Sequence, residues 1–413
     1  MTNTDTDIII AGGGMVGAAL ACALAEQGFT ITLLERREPD LEWPRDGYDI
    51  RVSAISRTSQ NIFHNLGAWP HMTRRRVTPY EHMRVWESGG GTALPWAPQI
   101  QFHAADIGEP DLGHIIENRV IQGALWEQMQ TLKNIEIRCP ASISSLSLDE
   151  EAPSVILNDG TRMRAALIVA ADGARSSLRE LAGISTGGWG YDQTAVVCTV
   201  QAEAGNQSTC WQRFMPSGPL ALLPMEQDLF SIVWSTTPKQ AEKLLQMPPE
   251  AFDSALTQAC EARPGRLRLL GERGAFPLRL QHAKQYIKPG LALVGDAAHV
   301  IHPLAGQGVN LGLMDMAELA DILVLARNKG RPLGALHTLR RYERARKGEN
   351  IAMQGAMDLF KRLFSNDIGP LRLARDLGMG LTEHAPLLKN LLIRNAMGIL
   401  GEAPSLARAK QQG

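Results

Sequence analysis

The first forty residues alternate short apolar runs with one longer apolar stretch. Residues 7–11 and 30–35 are predicted to form strands, and residues 15–27 between them are predicted to form an apolar helix. Gly28 favours the end of this helix, because glycine adopts a positive φ without a steric penalty. A strand, a helix and a second strand in this order predict a parallel βαβ unit.

Further along the chain the hydrophobic pattern changes character. The spacing of Ile116, Val120 and Ala124 predicts a helix over residues 115–129. Alternating β-branched and aromatic residues over 195–234 predict an antiparallel sheet. After Val309 the pattern is helical as far as the C-terminus, with breaks near 369–370 and 385–386. Strands or loops are also predicted at residues 80–105, 136–138, 155–157, 167–171 and 291–294.

Composition restricts the class of protein. With 413 residues, 44% hydrophobic and 21% charged, the chain is long enough for two domains and ordinary enough to be globular. The five cysteines are scattered and odd in number, which argues against a disulfide framework. The start of the chain lacks the basic residues of a signal peptide, and no run of about 18 apolar residues occurs. We therefore expect a cytoplasmic protein.

A first candidate site follows the first predicted strand. Residues 12–17 read G-G-G-M-V-G, and they lie between a strand and a helix. In this context the motif G-x-G-x-x-G predicts a turn that binds the pyrophosphate of a dinucleotide through Gly12, Gly14 and Gly17. Glu35 ends the second strand, where a carboxylate can accept hydrogen bonds from the ribose.

A second candidate site lies near residue 300. The segment 293–310 reads LVGDAAHVIHPLAGQGVN, in which a strand leads into a loop and then into a long helix. Asp296 is predicted to bond a ribityl hydroxyl of a flavin. Gly306 and the backbone of Gln307, Gly308, Val309 and Asn310 would offer N–H groups and the positive helix end to the flavin ring.

These motifs resemble those of the class A FAD-dependent aromatic hydroxylases, which have the p-hydroxybenzoate hydroxylase fold. A third motif of that family, D-G-x-x-S-x-x-R, is matched by residues 172–179. Within the family the chain is most similar to the ubiquinone-biosynthesis hydroxylases, and nearest to those that act on the demethoxyubiquinol intermediate. Segments that carry this likeness include R-V-S-A-I-S at 51–56 and R-R-Y-E at 340–343.

The resemblance implies an α/β fold with three parts. A Rossmann-like FAD domain with a parallel sheet would comprise residues 1–75, 106–180 and 281–345. An interleaved antiparallel substrate domain would comprise residues 76–105 and 181–280, and a helical region would comprise residues 346–413. The family also implies cofactor contacts at Arg51, Arg119 and Asp172, and it places Pro303, Gln307 and Gly308 at the reacting face of the flavin.

The implied activity is hydroxylation of the aromatic ring of a polyprenylated ubiquinone precursor, at the demethoxyubiquinol (C6) step. FAD would be bound without a covalent bond, NAD(P)H would be a transient reductant, and O2 would supply the inserted oxygen atom. The alternatives are C5 hydroxylation of a polyprenylphenol, another flavin-dependent reaction such as halogenation, and a non-catalytic subunit that holds FAD and lipid. The W-x-W-x-I-P motif expected of flavin halogenases does not occur.

Other residues with chemical potential receive plainer interpretations. His299 and His302 lack the acidic or cysteine neighbours of a metal site, so no metal is expected and His299 is interpreted as ordering its loop. The aromatic residues Trp189, Tyr191, Trp211 and Trp234 would line a substrate pocket or simply the core of a sheet. The single basic run 74–76 is too short for nucleic-acid binding.

Charge is distributed unevenly along the chain. From residue 321 onward there are 16 Lys and Arg against 8 Asp and Glu, a net charge of +8, which leaves −9 for the rest of a chain whose total is −1. A lipid substrate and the lack of a membrane span lead us to expect peripheral contact of this region with the inner membrane or with a biosynthetic complex. Solvated surface and packing in a homo-oligomer are the alternatives.

Overall fold

The computed structural model describes residues 4–41, 47–87, 99–148, 152–301, 308–364 and 403–410, together with residues 390 and 397. In chain order the strands are β1 (Thr6–Ala11), β2 (Ile31–Leu34), β3 (Val52–Ile55), β4 (Thr78–Tyr80), β5 (His82–Glu87), β6 (Gln99–His103), β7 (Gly113–Glu117), β8 (Ile135–Arg138), β9 (Ile143–Ser147), β10 (Ser154–Leu157), β11 (Arg162–Ala170), β12 (Thr186–Ala202), β13 (Thr209–Phe214), β14 (Leu220–Pro224), β15 (Leu229–Thr236), β16 (Leu267–Ala283), β17 (Ile287–Lys288), β18 (Leu291–Leu293) and β19 (His299–Val300). The helices are α1 (Met15–Glu26), α2 (Arg57–Asn65), α3 (Trp69–Thr73), α4 (Asn118–Gln130), α5 (Ser177–Leu181), α6 (Pro238–Gln246), α7 (Pro249–Ala259), α8 (Gly308–Asn328) and α9 (Leu336–Phe364).

The first sheet has a parallel centre with the order β18-β11-β1-β2-β8, and β17 pairs antiparallel with β18 at its edge. Its strands β1, β2 and β18 are buried on both faces, so they are almost continuously apolar rather than alternating, as Ile8, Ile9 and Ile10 illustrate. Helix α1 is rich in alanine and packs against α4 and α8. Its small side chains let these helices approach closely, and the predicted βαβ unit is confirmed.

Register brings three strand ends together. Ala11 of β1 lies opposite Ala170 of β11, and Ala170 lies opposite Leu293 of β18. All three strands run in the same direction, so their carboxyl ends meet at one edge of the sheet. Ligands of open parallel sheets bind at this edge.

The second sheet has the order β19-β16-β12-β15-β14-β13-β5-β6 and is antiparallel except for the β13–β5 pair. One face packs on α6 and α7 around a core that contains Trp86, Trp211 and Trp234. Part of the opposite face, including Cys210 and Leu223, packs against Ala54 of β3, a strand in a small sheet of order β3-β7-β4. The predicted α/β fold with an interleaved antiparallel sheet is confirmed.

Two predicted elements differ from the structure. Ile115 and Ile116 belong to β7, and the helix begins only at Asn118, because this β-branched pair is hydrogen-bonded to β3 and β4 and buried against both. The prediction of a helix from residue 115 was therefore wrong at its start. The helical C-terminal region also has a break at residues 329–335, where Gly330 has a φ of 60°.

The remaining C-terminal predictions are only partly testable. Helix α9 runs through the proposed boundary between residues 345 and 346, while the breaks predicted near 369–370 and 385–386 lie outside the described residues. Within the described ranges, no helix combines the length and the apolar character needed to cross a membrane.

Candidate cofactor-binding site

The three glycines of the first motif differ in their backbone conformation and in the space around them. Gly12 has a φ of 106°, and a Cβ there would lie 2.4 Å from the carbonyl oxygen of Ala171. A Cβ at Gly17 would lie 1.9 Å from the carbonyl oxygen of Gly12. Gly14 differs, because its φ of −71° suits any residue and a Cβ there would meet nothing within 4 Å. The fold itself requires Gly12 and Gly17, while the space in front of Gly14 is open.

Glu35 supports this turn directly. Its Oε2 accepts a hydrogen bond of 2.6 Å from the backbone N–H of Gly13, and its Oε1 accepts one of 3.0 Å from the N–H of Arg37. Trp126 and Gln122 of α4 donate to the carbonyl oxygen of Gly13 at 2.8 and 3.0 Å. Glu35 is thus anchored beside the turn, where the sequence predicted it, and each carboxylate oxygen retains a lone pair.

Asp172 lies at the end of β11, next to the same turn. Its Oδ2 accepts hydrogen bonds from the Ser177 hydroxyl and the Leu178 N–H, both at 3.2 Å, and so caps the start of α5. Its buried Oδ1 accepts no hydrogen bond from any described residue. The buried Arg179 donates to the carbonyl oxygens of Ala174 and Ala297, at 3.0 and 2.8 Å, and thereby joins this loop to the next.

The second motif contacts the first through small residues. Gly295, with a φ of 58°, and Gly312 of α8 both lie against Val16, whose side chain is 3.3 and 2.7 Å from where a Cβ at each glycine would be. The turn Gly295–Ala297 then presents Asp296 with its side chain exposed. Although the Asp296 side chain reaches the surface, the protein atoms around it partly desolvate its carboxyl group and raise its pKa, and electrostatic interactions with His299, Arg51 and Arg279 oppose this rise.

The two predicted arginines lie near each other, because the N–H of Asn118, the residue before Arg119, donates to the carbonyl oxygen of Arg51 at 2.9 Å. Arg51 is exposed just before β3, and its guanidinium lies 5.5 Å from the centre of the Phe276 ring. Arg119, in the first turn of α4, forms ion pairs with Asp40 at 2.9 Å and Asp49 at 4.0 Å. The charge of Arg51 is near enough to Asp296 to oppose the rise in the pKa of that carboxyl group. Arg119 is paired instead with Asp40 and Asp49.

Of the residues predicted to offer backbone N–H groups to the flavin ring, the last three are described. Gly308 and Val309 begin α8, and Asn310 follows them with its side chain buried. The Asn310 amide donates to the carbonyl oxygen of Ala54 at 2.8 Å and accepts from the N–H of Ser56 at 3.2 Å. This side chain therefore joins β3 to α8. Pro303, Gly306 and Gln307 lie outside the described residues.

The described residues fit a flavin dinucleotide. The open space at Gly14 suits a pyrophosphate, and the free lone pairs of Glu35 suit ribose hydroxyls. Asp172 Oδ1 is a buried acceptor that has no donor among the described residues. Asp296 has an exposed carboxylate after the neighbouring strand.

Sequence reasoning missed Asp315 and its partner Arg346. Asp315 lies fully buried in the middle of α8, and its carboxylate bonds Gly295, His299, Arg346 and Asn350. An acidic residue within the apolar run 311–317 was the available signal, because a buried charge requires a partner.

The plainer interpretations fare differently. His299 is hydrogen-bonded to Asp315 and so orders its loop, as interpreted from the sequence. His302 lies outside the described residues. In the part of the chain that the structure describes, no cluster of three potential metal ligands occurs. Trp211 and Trp234 belong to the core beneath α6 and α7, and Trp211 also contributes to the lining of a small cavity with Tyr80, Met83 and Leu223. Tyr191 is buried with Ala195 and Leu278, and Trp189 is 47% exposed. The basic run 74–76 is paired with Glu127 and Glu117.

Comparison with known proteins assigns a family model to most of the chain. Residues 5–354 match the sequence model of the family described as FAD binding domain. The chain is 40% identical over 400 residues to the 3-demethoxyubiquinol 3-hydroxylase of Escherichia coli K12, which covers 97% of this chain and 100% of that protein. It is 39% identical over 402 residues to the ubiquinone hydroxylase UbiL of Rhodospirillum rubrum, covering 97% and 92%. The structure of p-nitrophenol 4-monooxygenase PnpA from Pseudomonas putida aligns with a TM-score of 0.76 at 16% identity, covering 95% of this chain and 98% of that one, which shows a shared fold.

Proposed function

Since this chain belongs to the FAD-binding-domain family and shares full-length similarity with ubiquinone hydroxylases, we propose that it hydroxylates the ring of a polyprenylated ubiquinone precursor. It is a flavin-dependent monooxygenase with FAD as its cofactor and NAD(P)H as the reductant. The reaction assigned to it is the demethoxyubiquinol step, the C6 position of our sequence prediction. This step is named in the 40% identical relative, which the chain matches from end to end.

The observation that carries the proposal is the meeting of three motifs at one edge of the parallel sheet. The turn at Gly12, the loop at Asp172 and the turn at Asp296 follow neighbouring strands β1, β11 and β18. FAD, when bound, supplies the chemistry of reduction by NAD(P)H and of oxygen insertion. The protein binds and orients it: the α1 start faces the pyrophosphate, while Glu35 and Asp296 accept hydrogen bonds from its hydroxyl groups.

The substrate ring is assigned to the face of the second sheet beside Arg51. Phe276, 39% exposed, lies next to the Arg51 guanidinium, and Leu278 and Leu280 follow it on the same side of β16. An apolar wall here suits an aromatic ring with a hydrocarbon tail, and it keeps water away from the reacting atoms. Pro303, Gln307 and Gly308 stay proposed as residues at the reacting face of the flavin, and the first two lie outside the described residues.

The test uses the purified holoenzyme with demethoxyubiquinol that carries a short prenyl tail. We expect substrate-stimulated oxidation of NAD(P)H and a product heavier by one oxygen atom that derives from ¹⁸O2. Mass spectrometry of quinone intermediates in a deletion strain then identifies the step. Accumulation of a polyprenylphenol that lacks the C5 hydroxyl would replace the proposed step by the C5 alternative.

A non-catalytic FAD- and lipid-holding subunit is the competing proposal. It predicts bound FAD with no substrate-stimulated consumption of oxygen. The exposed Asp296 and the open space at Gly14 support binding of a cofactor in either case. An oxygen-electrode measurement with and without substrate therefore separates the two.

Peripheral contact with an anionic membrane is proposed for the basic C-terminal part. The leucines predicted for this role, between residues 371 and 393, lie outside the described residues. Support comes from α9, which exposes His337, Arg340, Arg341 and Arg344 along its first turns. Ile351, 49% exposed, follows about two turns after Arg344. Basic residues above an apolar side chain are the features by which a helix rests on a lipid surface.

A further inference from the structure

The buried carboxylate of Asp315 is hydrogen-bonded to both ends of the turn that carries Asp296. Asp315 Oδ2 accepts a hydrogen bond of 3.2 Å from the backbone N–H of Gly295, the residue before Asp296. The same oxygen accepts a bond of 2.5 Å from Nε2 of His299, three residues after Asp296. The turn is thus fixed at its entry and at its exit by one atom of α8.

The other carboxylate oxygen is held by α9. Asp315 Oδ1 accepts hydrogen bonds of 3.0 Å from Arg346 Nε and from Asn350 Nδ2. Arg346 also donates to Asn350 Oδ1 at 3.2 Å, so the two residues from α9 support each other. With relative exposures of 0% for Asp315 and 3% for Arg346, this is a buried ion pair in which four donors fill the carboxylate.

This arrangement does more than offset a buried charge. Arg346 would by itself suffice to neutralise Asp315, so pairing these two side chains already satisfies the electrostatic requirement of burial. The additional bonds to Gly295 and His299 constrain the turn, while the Asp296 side chain makes no hydrogen bond to any other described residue. Its position is therefore determined by the backbone on either side of it.

We propose that Asp315 is the positioning residue for Asp296: it fixes the 295–299 turn so that the Asp296 carboxylate is held ready for the cofactor. Asp315 does not touch the cofactor and acts through the turn alone. The inference rests on the proposed function only in taking FAD as the ligand of Asp296.

The test measures FAD affinity of the refolded apoprotein by fluorescence titration. Asp296→Ala removes one acceptor and is expected to weaken FAD binding about ten- to a hundredfold. Asp315→Asn is expected to weaken it about tenfold, because the turn loses its anchor. In the double variant the loss should stay within about twofold of Asp296→Ala alone, since one residue acts through the other. Losses that multiply in the double variant, or unchanged affinity in Asp315→Asn, would overturn the proposal.

A matched control is Asp111→Asn, which removes the carboxylate of another largely buried pair, with Arg57 at 3.0 Å. It should lower the thermal midpoint while FAD affinity stays within about twofold. A second pair of variants leaves Asp315 and Arg346 in place and guards against unfolding. His299→Gln keeps an N–H donor near the position of Nε2 and should bind FAD within about threefold of the wild type, whereas His299→Leu should lose about tenfold. Equal affinities of these two variants would overturn the proposal.

These outcomes remain distinct from failure of the proposed function. Hydroxylation of the ring is not part of the measurement, so a wild-type protein that binds FAD without hydroxylating any quinol leaves the test of Asp315 intact. A wild-type protein that does not bind FAD would instead contradict the proposed function.

Discussion

At the scale of single residues, the glycine-rich turn separates what folding requires from what a ligand requires. Gly12 and Gly17 are needed for packing, because a Cβ at either would overlap backbone atoms. Gly14 has ordinary backbone angles and open space in front of it. The sequence motif already predicts separate roles for the three glycines, with the second placed against the pyrophosphate. The coordinates add that a Cβ at Gly14 would meet no protein atom within 4 Å, so a substitution there is expected to affect binding without affecting the fold.

Gly14→Val is therefore expected to fold and to lose FAD. The valine side chain would occupy the space of the pyrophosphate, so the purified variant should be colourless and its FAD affinity at least a hundredfold weaker. Circular dichroism and absorbance at 450 nm check the two halves of this statement. Gly348→Val is the control, since its Cβ also meets nothing within 4 Å but lies on the exposed side of α9. Stoichiometric FAD in Gly14→Val would show that the pyrophosphate binds elsewhere.

Asp315 gives a pH dependence with a defined sign. Burial raises its pKa, but His299, Arg346 and Asn350 outweigh burial and hold the pKa at about 2, below the ordinary value of 3.8. A carboxyl group whose pKa is lower in the folded state stabilises the fold above its ordinary pKa, and this contribution disappears as the pH falls towards the folded value. The difference of almost two pH units corresponds to about 2 kcal/mol.

Urea titrations of the wild type and of Asp315→Asn at several pH values measure this contribution. The free energies of unfolding should differ most at pH 5, and the difference should shrink by about 2 kcal/mol as the pH falls from 4 to 2. A difference that is the same at pH 5 and pH 2 would contradict the proposed ionisation of Asp315.

At the scale of elements, prediction succeeded where the signal is local. The βαβ start could be predicted because strand period, helix length and Gly28 lie within thirty residues of one another. The Ile115–Ile116 pair was assigned to a helix because its spacing fits one, whereas its pairing with β3, sixty residues earlier, decided the outcome. Neither the Asp315 network nor the role of Asn310 could be predicted, since their partners are distant in sequence.

Asn310 illustrates how one side chain joins elements that are 254 residues apart. Asn310→Ala leaves the Ser56 N–H and the Ala54 carbonyl without this partner and should cost about 1–3 kcal/mol of stability. Because β3 directly follows Arg51, FAD affinity should fall by about three- to tenfold as well. Thermal unfolding and FAD titration of the same sample measure both effects.

Asn134→Ala is the matched control for this prediction. Asn134 also makes two hydrogen bonds to the backbone, donating to the carbonyl oxygens of Ala25 at 2.8 Å and Phe29 at 2.7 Å. These acceptors lie at the C-terminal end of α1, whereas the glycine-rich turn lies at its N-terminal end. Its loss should lower stability by a similar amount without changing FAD affinity. If both variants bind FAD equally, Asn310 supports the fold but not the site.

At the scale of the whole molecule, the uneven distribution of charge is a feature that binding of the cofactor does not explain. The chain is nearly neutral, yet its last 93 residues carry +8. In the described part of this region, Arg346 is buried beneath the cofactor site, while Arg340, Arg341 and Arg344 face solvent. A polyprenylated quinol resides in a membrane, so the proposed reaction requires a surface of the enzyme that approaches the lipid.

The charge-reversal variant Arg340→Glu/Arg344→Glu tests whether α9 is that surface. Each basic residue near an anionic bilayer contributes about 1 kcal/mol, so loss of two should weaken binding to vesicles with 30% anionic lipid by at least about thirtyfold relative to the wild type. Sedimentation with the vesicles measures this, and wild-type binding should also fall steeply between 0.1 and 0.5 M salt because ions screen the attraction. Lys239→Glu/Lys243→Glu makes the same change of charge on the exposed side of α6 and should leave sedimentation nearly unchanged. Both variants keep the cofactor site intact, so bound FAD reports that they are folded. Equal loss in the two variants would mean that total charge alone governs binding, and no loss in either would exclude α9 as the docking surface.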